Sequence, residues 1–126
     1  MSALVERAIA LFALKDKRER LLFLAGKPAR WDDFCDAFLH DTRSLDPRSM
    51  TRISSTTDHA RLIAQLGATP AAKTYCISSW LDDRELSLVE ALRAIVGRQR
   101  DVLVFCPESE RAYYENHEGE QFVLRC

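Results

Sequence analysis

Glycine is scarce in this chain, with four in 126 residues, and each has a structural post. Gly26, Gly67 and Gly97 follow helical runs, where a left-handed helix terminus favours glycine. Pro28 and Pro70 stand just beyond two of them and support the stop signals. Gly119 falls in a turn between two strand-like runs. None is left for a P-loop or a GxGxxG turn, which need several glycines close together, so neither kind of nucleotide-binding enzyme is expected. Cysteine is equally sparse. Cys35, Cys76, Cys106 and Cys126 form no CxxC pair, which speaks against a zinc knuckle or a thioredoxin-like motif. The first three sit in apolar patterns, where cysteine behaves as a small hydrophobe. No apolar run approaches the ~20 residues a membrane span needs. At the N-terminus, MSALVERAIALFALKDKRER places its apolar stretch before its basic one, the reverse of a secretory signal. The expectation is a cytoplasmic protein with no membrane role, no cofactor and no metal.

What is present is the balance of an ordinary globular domain: 47% hydrophobic and 29% charged residues. One domain spanning residues 1–126 is expected, and a chain of this length buries enough surface to need no staple. Net charge is −1, but it is unevenly placed. Residues 1–30 carry seven Lys/Arg against three Asp/Glu, and residues 101–126 carry six Asp/Glu against two Arg. Direct nucleic-acid binding is not expected, because phosphate neutralisation asks for a basic surface. The basic block KDKRER reads as a solvated helix face.

Periodicity makes the first half helical. Ser2 can cap a helix with Leu4, Val5, Ala8, Leu11 and Phe12 at helical spacing. The polar block Lys15 to Arg20 interrupts it and LLFLAG resumes it. Trp31, Phe34, Cys35, Phe38 and Leu39 fall on one amphipathic stripe. HDTRSLDPRSMTRISS reads as a loop with one short strand at its end, and Thr57 as the cap of a helix that turns Leu62, Ile63 and Leu66 inward. The second half changes character. TYCISS is rich in strand formers, and Ser87 with Glu90 forms a capping box for a helix carrying Leu88, Val89, Leu92, Ile95 and Val96. DVLVFC is a continuous apolar run, the mark of a central strand covered on both faces. The spacing predicts a right-handed βαβ crossover with Thr74–Ser79 parallel to Val102–Phe105. RAYYE and EQFVLRC flank NHEG as a β-hairpin. The predicted fold is α+β: a helical N-terminal half on a mixed sheet of three or four strands, helices mainly on one face, with a C-terminal hairpin.

No catalytic motif stands out. Cys35 and His40 are five apart, diverging on a helix, and Cys35 belongs to the apolar stripe, so a Cys–His hydrolase is disfavoured. His40, His59 and His117 have no short-range spacing for a metal. In a strand, Tyr113 and Glu115 point one way and Ala112 and Tyr114 the other. One tyrosine is therefore expected in the core and the other beside a glutamate on an exposed face. Phe122 and Leu124 share one face of the returning strand, and Gln121, Val123 and Arg125 the other. That gives the hairpin a dry side and an acidic, aromatic side able to dock a cationic partner. Trp80, beside Asp82 and Asp83, reads either as an interface anchor or as packing over the next helix.

WLDDRELSLVEALRAIVG and CPESERAYYENHEGEQF give the chain its acidic patches. In these stretches, and as one α+β domain without an active-site motif, it resembles the small immunity proteins of bacterial toxin–immunity pairs, such as those of contact-dependent growth inhibition. The resemblance implies a cognate protein toxin, often a nuclease, held in a heterodimer with its basic active-site cleft covered, and no catalysis by the chain itself. The partner-binding residues expected from charge and exposure are Trp80, Asp82, Asp83, Glu85, Glu108, Glu110, Tyr113, Glu115, Glu118 and Glu120. Two other readings stay open: a small hydrolase using paired carboxylates, and a homodimeric regulatory module joined through a strand edge and the basic N-terminal helix.

Overall fold

A computed structural model describes residues 2–81 and 84–126. Three α-helices come first: α1 (Ala3–Phe12), α2 (Arg18–Ala25) and α3 (Trp31–Leu39). Strand β1 (Met50–Ile53) and helix α4 (His59–Gln65) follow, then β2 (Lys73–Ile77), β3 (Glu85–Ser87) and α5 (Leu88–Ile95). Strands β4 (Val102–Cys106), β5 (Arg111–Glu115) and β6 (Gln121–Arg125) complete the chain. The fold is α+β, as the sequence pattern indicates. Local signals are realised where they are strongest. Ser2 caps α1 by accepting from the Leu4 amide, and the Ser87–Glu90 box opens α5. The α4 cap is Asp58 rather than Thr57, its carboxylate accepting from the Arg61 amide. Gly67 and Gly97 adopt φ of +62° and +82° after α4 and α5, as left-handed termini require. Gly26 ends α2 at φ −75° and needs no such freedom.

The sheet departs from the expected one in three ways. Among the described residues it has six strands in the order β1-β6-β5-β4-β2-β3, and every neighbour pair is antiparallel. The expected parallel pairing of Thr74–Ser79 with Val102–Phe105 is replaced by an antiparallel ladder, Tyr75 opposite Phe105 and Ile77 opposite Leu103. The reason is the short strand β3, which reverses the chain before α5 begins. Helix α5 does make a crossover between strands of like direction, but from β3 to β4, with β2 lying between them. Finally, helices cover both faces. Phe12, Leu24, Phe34 and Phe38 of α1–α3 pack on Leu103, Phe105, Ala112, Tyr114 and Leu124. Leu62, Leu88, Leu92 and Ile95 of α4 and α5 pack on Cys76, Val102, Val104, Tyr113 and Val123.

Two-sided cover explains why all five residues of β4 are buried. It also overturns the expected exposed side of the hairpin. Tyr113 and Tyr114 point to opposite faces, yet both are fully buried, because each face has its own helical layer. Burial pushes the thiols of Cys35, Cys76 and Cys106 up to about 12, far from thiolate character at neutral pH. Among the described residues no helix is long and apolar enough to cross a membrane.

Candidate binding site at the hairpin end of the sheet

Register decides which loops meet. Val102, the first residue of β4, lies opposite Glu115, the last of β5, and Ile77 at the end of β2 lies opposite Leu103. The α5–β4 loop, the β5–β6 turn and the segment after β2 therefore gather at one end of the sheet. The end of α3 is tied nearby, since the Tyr114 hydroxyl donates to the Leu39 carbonyl.

Two polar devices shape this end. In the turn, the Asn116 side-chain oxygen accepts from the amides of Glu118 (3.1 Å) and Glu120 (3.0 Å), and the Gly119 amide donates to the Asn116 carbonyl (3.0 Å). This fixes His117 at the tip. Beneath the α5–β4 loop lies Glu115, 1% exposed. Its carboxylate accepts from the amides of Gly97 (3.0 Å) and Gln99 (2.7 Å) and from the Tyr113 hydroxyl (2.6 Å). Gln121 donates to that hydroxyl (2.7 Å) and clasps the backbone of Thr56 through both atoms of its amide. A buried carboxylate stays only if its lone pairs are met in this way. Burial, and then the Glu115 carboxylate, raise the phenol pKa of Tyr113.

With loop and turn fixed, Asp101 becomes the hub. Its Oδ1 accepts from the His117 amide (2.9 Å) and lies 3.0 Å from His117 Nδ1, while Oδ2 lies 3.4 Å from His40 Nδ1. The Asp101 carbonyl accepts from the Trp80 indole N–H at 3.0 Å, and the Arg100 guanidinium covers the Trp80 ring at 4.7 Å. The His40 and His117 rings stack, with centroids 4.5 Å apart and planes 12° apart. Further carboxylates stand around them: Asp36 Oδ1 is 3.6 Å from His40 Nδ1 and Glu118 Oε1 is 4.0 Å from His117 Nε2. The His117 pKa is raised, chiefly by its hydrogen bond to Asp101; desolvation opposes this, and the charges of Asp101, Glu118 and Asp41 add to the rise. Two imidazoles and a carboxylate at these distances can hold a cation, and the wider ring of acids favours positive charge on any group that approaches.

The residues expected to bind a partner do not form one patch. Trp80, Glu118 and Glu120 share the hairpin end, although Trp80 is half-buried as a loop anchor and Glu120 is paired with Arg52 at 3.1 Å. Glu85, Glu108 and Glu110 lie towards the opposite end, beside the β4–β5 turn, where Glu110 is 3.7 Å from Arg7. Tyr113 and Glu115 are interior, so they cannot belong to an exposed docking face; their polar atoms are consumed in holding the α5–β4 loop. Asp82 and Asp83 lie outside the described residues. Nothing in the local sequence pattern marks His40, Asp101 or Asp36 as site residues. For Asp101 and His117 a signal exists, since pairing DVLVFC with the hairpin brings Asp101 to the turn NHEG. For His40 there is none, because its approach depends on how α3 packs over the sheet. Comparison of the chain with protein-family models, curated proteins and solved structures gives no match.

Proposed function

We propose that the chain is a binding protein that covers the basic surface of a cognate protein, as an immunity protein covers its toxin. The observation that carries this reading is the state of the acids at the hairpin end. Among the described residues, Asp36 and Glu118, both exposed, have only imidazoles within ion-pair reach, and no lysine or arginine. Carboxylates left without a permanent cation favour an incoming Lys- or Arg-rich surface and steer its approach. A nuclease toxin fits this chemistry, because a cleft that holds phosphates is basic by necessity. Inhibition would then be occupation, with carboxylates standing where phosphates lie.

The test is capture of partners by the tagged protein from its native cells at low salt. A stoichiometric basic partner, released as salt rises, is the expected result. The double substitution Asp36→Lys and Glu118→Lys, on two exposed side chains, should weaken that complex about tenfold or more. A stoichiometric complex whose affinity ignores both substitutions would remove the hairpin end from the interface and overturn the reading.

A further inference from the structure

We propose that His40, Asp101 and His117 form a binding site for a divalent transition-metal ion of the zinc class. The donor set comes first. Imidazole nitrogen with one carboxylate oxygen suits zinc, nickel or cobalt, whereas calcium and magnesium ask for oxygen donors alone. The spacing comes second. One donor atom from each of the three residues lies within 4.8 Å of the others. Ligands at tetrahedral corners with bonds of about 2.0–2.1 Å stand about 3.3 Å apart. Asp101 Oδ1 is 3.0 Å from His117 Nδ1 and Asp101 Oδ2 is 3.4 Å from His40 Nδ1, so each imidazole already stands about one such edge from an oxygen of the carboxylate.

Support from outside the ligand set comes third. Asp101 is held by the Trp80 indole on its carbonyl and by the His117 amide on its carboxylate. His117 rides on a turn closed by Asn116. Two of the three ligands are therefore placed by groups that a metal would not disturb. Asp36 and Glu118 add negative field at the edge of the site without entering its centre.

The stacked rings set one requirement. A metal bonds in the plane of an imidazole, and rings only 12° from parallel cannot both point their nitrogens at one ion. One ring must turn about its Cβ–Cγ bond. His40 is the ring free to do so, because it is exposed and its polar contacts are long, at 3.4 and 3.6 Å. His117 is held through its backbone, by its amide on Asp101 at 2.9 Å and by the Asn116 turn. Binding thus joins three segments distant in sequence: the end of α3, the α5–β4 loop and the β5–β6 turn.

This inference does not rest on the partner reading, since the chain alone is enough to test it. Untagged protein is titrated with zinc by calorimetry and with cobalt by visible absorption. Expected are one ion per chain, and a loss of affinity of at least about tenfold in each of His40→Ala, His117→Ala and Asp101→Asn. His59→Ala, on α4 and outside the cluster, should bind as the parent does. His40→Ala removes only an exposed ring, so its loss of binding cannot be assigned to unfolding, and circular dichroism checks the other two. No stoichiometric binding by the parent, or equal binding by parent and all three variants, overturns the proposal.

Discussion

Tyr113 and Tyr114 are neighbours in the chain and lie on opposite faces of the sheet, and the two faces treat them differently. On the face covered by α1–α3, Tyr114 sits among aromatic and aliphatic side chains and spends its hydroxyl on one backbone carbonyl, that of Leu39. On the face covered by α4 and α5, Tyr113 enters a chain of polar contacts running from the Thr56 backbone through Gln121 to Glu115 and the amides of Gly97 and Gln99. The first face is held by close packing, whose energy is spread over many small contacts. The second concentrates much of its order in a single buried carboxylate, and that order is passed directly to the loop bearing Asp101. The first face stabilises and brings the end of α3, with His40, to the site; the second aims Asp101.

Breaking each face should therefore fail differently. The largest loss is expected on the dry face. Phe12 is fully buried and meets Phe105 edge to face at 5.9 Å. Phe12→Ala should cost about 4 kcal/mol in urea unfolding, with hydrogen exchange at Gly97 and Gln99 rising no more than that of the sheet at large. Glu115→Ala comes next, at about 3 kcal/mol, because two amides and a phenol lose a charged acceptor where water is excluded. Here the amides of Gly97 and Gln99 should exchange far faster than those of β4, a local loosening that Phe12→Ala does not produce. If both variants loosened the loop equally, the division of labour between the faces would be wrong. The smallest and sharpest comparison is the tyrosine pair. Tyr114→Phe removes one bond to a neutral carbonyl, for about 1 kcal/mol, whereas Tyr113→Phe takes a partner from a buried carboxylate and should cost about 2 kcal/mol. Equal costs would place both hydroxyls in the same kind of environment.

How far the sequence foretold this arrangement depends on the range of the interactions. The Ser2 cap, the capping box at Ser87, the stripe from Phe34 to Leu39 and the final hairpin are local, and all are found. The strand at Glu85–Ser87 was hidden, because three residues after a cluster of acids carry no period. Without it, a crossover through α5 alone sets β4 parallel to β2, the reverse of the observed pairing. The two-sided cover is legible in DVLVFC, where every residue after Asp101 is apolar, but not in RAYYE. There Glu115 looked like a solvent residue, and only a folded loop could supply the amides that keep it inside. The same limit applies to the site. Asp101 and His117 are joined by strand pairing, whereas His40 arrives through packing of α3 that no short pattern encodes.

Strand order has a consequence for biogenesis. β6 lies between β5 and β1, and among the described residues it is the one strand against which β1 pairs. During synthesis residues 50–53 therefore emerge long before residues 121–125, and their backbone donors must wait on the ribosome without a ladder. Such distant pairing makes closure a late event in folding. A nascent chain stalled before residue 121 would bare the edge of β5 as well as β1, two strands open to pairing with a neighbouring chain.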